Sequence, residues 1–444
     1  MIVPIIFESE EYITEKPAYL WVFYKFASFS LKANTPIITT DEYLKKPSYY
    51  KNKNHSAVNV MDYYGITDET FKKLKYHSLK KTKITQKYKD NLECWISLLK
   101  KRDKDLEEEL EKAIVSLESK YEKIEAFMVW TWLPSISYIA KKHNIKVINQ
   151  EGSAIRQPFY SRLLNYFQFQ NKYDCSNILT DYQKLIKNKD LLYLTREELF
   201  ALLVDKENIK YINELDHQPT YEIGYGLGLN TDCFAKVYSK INQNDVLEKL
   251  STLVSKEKIC IRPHPKDPID VEKLGFTEDK SPSAFSWILN CKRIVSDLSN
   301  TGFEALLLGR TVISLSDKMP AAFLETTNLS YLEDEVAGIR KVNFLTFAWF
   351  TPEELTQDVS YVKWRLTNPN IREIYIRNLD YILKDNNMSY DEMKNIMPKD
   401  RLNYILSKRD IDIDIDSLSI DQSNQQETKK NSFLHMFRRR KWKI

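Results

Sequence analysis

The sequence predicts an α/β protein with two parallel sheets in tandem, and three observations carry that prediction. The first is a strand–helix–strand series: Phe127-Met128-Val129-Trp130, a helically spaced 134–142, then Lys146-Val147-Ile148-Asn149, which stops at Gln150-Glu151-Gly152-Ser153. The second is a longer series from Tyr221. It opens with Glu222-Ile223-Gly224-Tyr225-Gly226-Leu227-Gly228 and a helix over 245–254, then Ile259-Cys260-Ile261-Arg262. It continues with 284–289, Arg293-Ile294-Val295-Ser296, 303–308 and Thr311-Val312-Ile313-Ser314. Short apolar strands that alternate with helices of about ten residues imply parallel pairing through right-handed crossovers. The third is the polar interruption at 213–219, ending on Pro219, which separates the two series. A chain of 444 residues has room for both units.

Each segment has a place in that plan. Residues 1–215 are expected to form the first domain, with Ile2-Val3-Pro4-Ile5-Ile6-Phe7 as its opening strand and mixed short elements to residue 60. In the same domain Leu106, Leu110, Ile114, Leu117, Tyr121 and Ile124 recur at helical spacing, with Glu107 to Glu109, Lys112 and Lys120 on the other faces. The repeat is too short to argue for a coiled coil, so a long helix packed on a sheet is expected. Charged helices are expected over 181–210. The second domain is placed at 216–352, and helices over 353–408 are expected to pack back across the first. Residues 409–444 read as a flexible acidic linker, Asp410-Ile411-Asp412-Ile413-Asp414-Ile415-Asp416, followed by a basic amphipathic tail.

Composition excludes several classes. An apolar fraction of 43% supplies a sizeable core and rules out a wholly disordered chain. A net charge of +4 is too small to argue for nucleic-acid binding, and no nucleic-acid partner is expected. No apolar run reaches the roughly eighteen residues of a spanning helix, and the opening strand is too short for a signal core, so a cytoplasmic protein is expected. The tail 429–444 mixes Arg438, Arg439, Arg440 and Lys441 with Phe433, Phe437 and Trp442, which suits peripheral attachment to an anionic leaflet at about 1 kcal/mol per basic residue; a nucleic-acid contact, or a tail with no partner, is the competing reading. Five scattered cysteines with no Cys-x-x-Cys pair give no zinc pattern. The Asp-x-Asp pattern of 410–416 lacks a strand-end context and reads as solvated linker. Gly224-x-Gly226-x-Gly228 departs from Gly-x-Gly-x-x-Gly, which argues against a dinucleotide site.

In tandem α/β units ligands bind at the carboxyl ends of strands, where helix N-termini and free backbone N–H groups converge. Gly152, Gly224, Gly226, Gly228, Gly302 and Gly309 lie in or beside such loops. In a chain with only 9 glycines this grouping points to close backbone approach to a bound molecule, or else to turns that need positive φ. Arg262-Pro263-His264-Pro265 leaves a strand end with an imidazole and a guanidinium able to face a departing phosphate; a structural histidine in a rigid turn is the other reading. Ser296-Asp297-Leu298-Ser299-Asn300-Thr301-Gly302 precedes a helix and offers hydroxyls and N–H groups to an anion, although an N-cap by Ser299 or Thr301 explains part of it.

These residues, Ile261-Arg262-Pro263-His264-Pro265 and then Ser296 to Ile313, resemble the nucleotide half of bacterial GT-B-type glycosyltransferases. Those enzymes build capsule and O-antigen (lipopolysaccharide) chains from CMP-activated acidic sugars, and the likeness is nearest to the retaining β-Kdo transferases. It extends over roughly 125–315. It implies two Rossmann-like domains facing across a cleft, the first on the acceptor side and the second holding the CMP-sugar. It further implies that His264, Ser299, Asn300 and Thr301 hold the nucleotide, with Arg262, Gly226 and Asn230 beside it. CMP-Kdo is the donor so implied, and the acceptor is a lipid-linked glycan at the inner face of the bacterial inner membrane.

A single-phosphate leaving group needs only hydrogen-bonding and positive side chains, where a diphosphate commonly recruits a divalent ion, so no metal is expected. Glu151 and Asp232 are the candidate catalytic carboxylates. Similarity to retaining enzymes assigns Asp232 as nucleophile and Glu151 as acid/base, with His264 at the leaving phosphate. Either acid also fits an N-cap or a solvated loop. An inverting CMP-sialic acid transferase, a CDP-alcohol phosphotransferase of teichoic-acid type and a non-catalytic membrane-associated scaffold are the alternatives the sequence leaves open.

Overall fold

The structure is a computed structural model that describes residues 1–7, 19–52, 60–169, 177–228, 233–239, 242–264, 269–315 and 335–411. Two sheets organise it. The first is seven-stranded, in the order β12-β6-β5-β4-β1-β2-β3, built from β1 (Ile2–Ile5), β2 (Ile37–Thr40), β3 (Tyr76–Leu79), β4 (Ala126–Val129), β5 (Lys146–Gly152), β6 (Leu164–Phe169) and β12 (Phe350–Pro352). The second is five-stranded, in the order β11-β10-β7-β8-β9, built from β7 (Tyr221–Gly226), β8 (Ile259–Arg262), β9 (Thr277–Glu278), β10 (Cys291–Ser296) and β11 (Thr311–Ser314). Pairing is parallel throughout the second sheet and from β3 to β5 in the first; β6 runs antiparallel to β5, and β12 antiparallel to β6. The architecture is two Rossmann-like α/β units, each built round its own mainly parallel sheet.

Strand alternation explains how the first sheet is buried on both sides. In β4, Phe127 and Val129 join one core with the helix Lys104–Glu118, while Ala126 and Met128 join the other with the helix Leu20–Ala33. The helix Lys104–Glu118 starts at Asp103, whose carboxylate accepts the Leu106 N–H at 3.0 Å. It buries Leu106, Leu110, Ala113, Ile114 and Leu117. The helical spacing in the sequence ran on to Ile124, yet the helix ends at Glu118 because the chain must turn into β4 at Ala126; Ile124 is buried all the same.

The C-terminal segment returns to the first domain, as expected. It does so first as a strand: β12 adds to β6, with Phe350 opposite Tyr166 and Pro352 opposite Leu164. Leu355, Tyr361 and Val362 then enter the core beneath the helix Leu20–Ala33. Residues 155–215 pack in the opposite sense. Ile155, Tyr160, Leu199 and Phe200 share one apolar cluster with Phe285, Trp287, Phe303 and Leu307 of the second domain. Chain crossings in both directions thus tie the two domains together. No helix among the described residues is long and apolar enough to cross a membrane. Residues 412–444, including the basic tail, lie outside the described residues.

Candidate functional site

The carboxyl end of β5 and the loop after β10 meet. Asn300, just before the helix Thr301–Leu307, donates from Nδ2 to the carbonyl of Gly152, the last residue of β5, at 3.0 Å. A second link lies one helical turn on, where the buried Tyr160 donates its phenolic hydrogen to Glu304 Oε1 at 2.9 Å. Burial raises the Glu304 pKa above the usual carboxylate range, and the Tyr160 bond opposes that rise. The helix Cys233–Tyr238 makes a third link, with Cys233 buried in the first domain's core and Phe234 and Val237 packed against it.

The hydroxyl loop is ordered by its own side chains. Ser299 Oγ stands 2.7 Å from Thr301 Oγ1 and accepts the Thr301 N–H at 3.2 Å, while Ser296 Oγ donates to the Ser299 carbonyl at 3.0 Å. Ser299 remains exposed, so its hydroxyl is open to solvent while it accepts the Thr301 N–H. The loops after β8 and β10 leave the same sheet edge with β7 between them, which separates their origins by about 10 Å, two strand spacings. His264, half-buried, stands two residues past the end of β8.

Arg262 is engaged through one guanidinium nitrogen. Its Nη1 pairs with the Asp279 carboxylate and also reaches the carbonyls of Ser281 at 3.5 Å and Ser283 at 3.3 Å. That guanidinium nitrogen ties β8 to the 279–283 loop. Gly226 ends β7 beside a core ring: a Cβ there would lie 3.4 Å from Trp287 Cη2. Glu151 is half-buried in β5, opposite Tyr166 and one residue before Gly152. The structure therefore brings Glu151 and Gly152 together with Ser299, Asn300 and Thr301. Asn230 and Asp232 lie outside the described residues. Among the described residues no group of three or more His, Cys, Asp or Glu side chains is placed to hold a metal ion.

Two features were not singled out from sequence. Asp297 follows β10 directly; burial pushes its pKa up to about 6, Ser239 donates to its Oδ2, and Oδ1 is buried with no hydrogen-bond partner among the described residues. A carboxyl titrating there can exchange a proton near neutral pH. Its position at a strand end was legible; its burial was not. The other is a polar cluster at the carboxyl edge of the first sheet. Lys25 Nζ donates to Glu353 Oε2 at 2.7 Å and to Asn165 Oδ1 at 2.8 Å, and Asn165 Nδ2 donates to the same Glu353 oxygen at 2.6 Å. All three are 0% exposed. Burial pushes the Lys25 pKa below the ordinary lysine range, and Glu353 opposes that shift. Gln150, also 0% exposed, has neither amide atom hydrogen-bonded among the described residues. Asn165 stands opposite Gly152 in the sheet, so this cluster lies under the strand end that receives Asn300.

Comparison with known proteins gives the following. The chain is similar to solved structures of Thermosulfurimonas dismutans KpsC, described as a beta Kdo 2,7 transferase, at 17% identity over 58% of this chain and 90% of that one, with a TM-score of 0.31. A second, described as the beta Kdo 2,4 transferase of the same protein, is matched at 13% identity over 55% of this chain and 88% of that one, TM-score 0.32. A UDP-glucosyltransferase from Polygonum tinctorium is matched at 10% identity over 93% of this chain and 98% of that one, TM-score 0.30. No curated protein matches the sequence. Residues 6–176 match the Glycosyltransferase 99 family N-terminal domain, so the segment that forms β2 to β6 and carries Glu151 and Gly152 is similar to the N-terminal domain of a glycosyltransferase family.

Proposed function

We propose that the chain is a glycosyltransferase that moves an acidic keto-sugar, Kdo, from its CMP ester to a bacterial surface-polysaccharide acceptor with retention of configuration. The observation that supports this reading is the Asn300–Gly152 hydrogen bond, because it joins the hydroxyl loop after β10 to the end of β5, the strand that bears Glu151. The match of residues 6–176 to a glycosyltransferase domain supports the reaction class.

In this proposal CMP sits on the second domain, with Ser299, Thr301 and His264 at its phosphate. Asp232 attacks the anomeric carbon as the bond to the phosphate oxygen breaks, His264 donates a hydrogen bond to that oxygen, and CMP leaves. The acceptor hydroxyl then gives its proton to Glu151 while its oxygen displaces the Asp232 carboxylate, and two inversions give net retention. No step calls on a metal, because a single phosphate ester can be offset by hydrogen bonds. Arg262 braces β8 through the Nη1–Asp279 pair and turns its remaining guanidinium donors to the nucleotide. The acceptor is a lipid-linked glycan, and residues 429–444 would hold the enzyme at an anionic membrane surface.

Intact-protein mass after incubation with CMP-Kdo tests the covalent step. A gain equal to one Kdo residue is expected in the wild type and not in Asp232→Asn. A sugar adduct that persists in Asp232→Asn would remove Asp232 from the role of nucleophile.

A further inference from the structure

Trp21 and Trp130 meet edge to face, with ring centroids 4.7 Å apart and planes at 80°. Trp130 is the first residue beyond β4, and Trp21 stands in the first turn of the helix Leu20–Ala33, so both lie at the carboxyl edge of the first sheet. Trp95, Trp287 and Trp349 are fully buried in the cores, whereas both members of this pair keep part of their surface open. The pair also neighbours the carboxyl end of β5. A Cβ placed on Gly152 would lie 3.7 Å from Trp130 Cη2, and Gly152 is the residue whose carbonyl receives Asn300. Beneath it, the Lys25 ammonium stands 5.6 Å from the Trp130 ring centroid and is itself held by Glu353 and Asn165. The ring is thereby fixed by a buried ion pair, the kind of rigid support that a binding surface needs.

We infer that Trp21 and Trp130 form the subsite for the acceptor's terminal sugar ring. A pyranose has a face of C–H groups that carry slight positive charge, and an aromatic face is negative, so the two are complementary without any ion pair. A ring docked there places its hydroxyls beside the strand end that carries Glu151 and Gly152. The nucleotide phosphate calls for N–H and O–H donors instead, and those are supplied by residues 299–301 of the second domain. This inference rests on the transferase reading and names the acceptor chemistry of that same site.

The test uses the full chain in two independent titrations. In the first, tryptophan fluorescence is followed while lactose, cellobiose or diacetylchitobiose is added in the presence of CMP. In the second, CMP binding is measured alone by calorimetry. A saturable fluorescence change with at least one disaccharide is expected. It should be lost, or weakened more than tenfold, in Trp130→Leu and in Trp21→Leu, with CMP affinity within about twofold of wild type. The more conservative Trp130→Phe should retain part of the response. A saturable change undiminished in both leucine variants overturns the subsite, as does the absence of any saturable change in a wild type that binds CMP. Failure of wild-type CMP binding would instead strike the nucleotide reading and leave the disaccharide titration, repeated without CMP, to decide the subsite on the same two outcomes.

Discussion

Asn300 donates its side-chain amide to the carbonyl of Gly152 across 3.0 Å, and through that bond the hydroxyl loop of the second sheet touches the end of β5 in the first. An intramolecular hydrogen bond contributes about 1 kcal/mol net, and more when its loss strands a partly buried acceptor. Asn300→Ala is therefore expected to weaken CMP binding by roughly three- to tenfold while leaving global stability within about 1 kcal/mol of wild type. Calorimetry and urea unfolding of the same preparation measure the two effects separately.

The Lys25–Glu353 pair predicts a characteristic asymmetry. Both side chains are 0% exposed, so removing one leaves a buried charge without its partner. Glu353→Ala should cost roughly 3–5 kcal/mol, and Lys25→Met, Glu353→Leu together should cost less than Glu353→Ala alone. Equilibrium urea unfolding decides it. A double variant at least as unstable as Glu353→Ala would contradict the account of this cluster.

Asp297 gives a pH signature with a definite sign. Its folded-state pKa is raised to about 6, so between about pH 4 and pH 6 the folded chain holds a proton that the unfolded chain has already released. This group's contribution to stability is present at low pH and is lost as pH rises through about 6. Asp297→Asn should thus stabilise the protein at pH 8 by about 1–2 kcal/mol, a figure reduced for the partial exposure of the side chain, and change little near pH 4.5. Unfolding midpoints at the two pH values measure the difference.

Gly224 tests a packing role. A Cβ there would lie 2.7 Å from Cys291 Sγ and 2.8 Å from Ile294 Cδ1, both on the neighbouring strand β10. Gly224→Ala should destabilise by about 1–3 kcal/mol, and Cys291→Ala should recover part of the loss by vacating one of the two contacts. Thermal unfolding of the single and double variants is the check.

How much of this was legible in the sequence depends on how local the cause is. The series 127–152 and 221–314 exposed the two sheets because a parallel strand buried on both faces writes itself as a short apolar run. The helix Lys104–Glu118 was visible from its spacing, and the loop 296–302 from its hydroxyls before an apolar helix. Non-local causes left no trace. Phe350-Thr351-Pro352 becomes β12 only because β6 offers an open edge, and three residues carry no period. Lys25 meets Glu353 from 328 residues away. The glycines of β7 read as room for a ligand, yet Gly224 and Gly226 make room for Cys291, Ile294 and Trp287. Arg262 stood beside a candidate phosphate site in sequence, and its orientation toward Asp279 depends on a loop that only the folded sheet brings near.

The claim on which the functional account depends is that cytidine monophosphate docks between the hydroxyl loop of the second domain and the β5 end of the first. The most direct measurement is calorimetric titration of the full chain with CMP, CDP and UDP in the presence of a chelator. The account predicts saturable binding that prefers CMP over both diphosphates and is weakened about tenfold or more in Ser299→Ala, Thr301→Ala and in His264→Ala. No heat from CMP, or equal affinities for all three nucleotides unaffected by those substitutions, would contradict it.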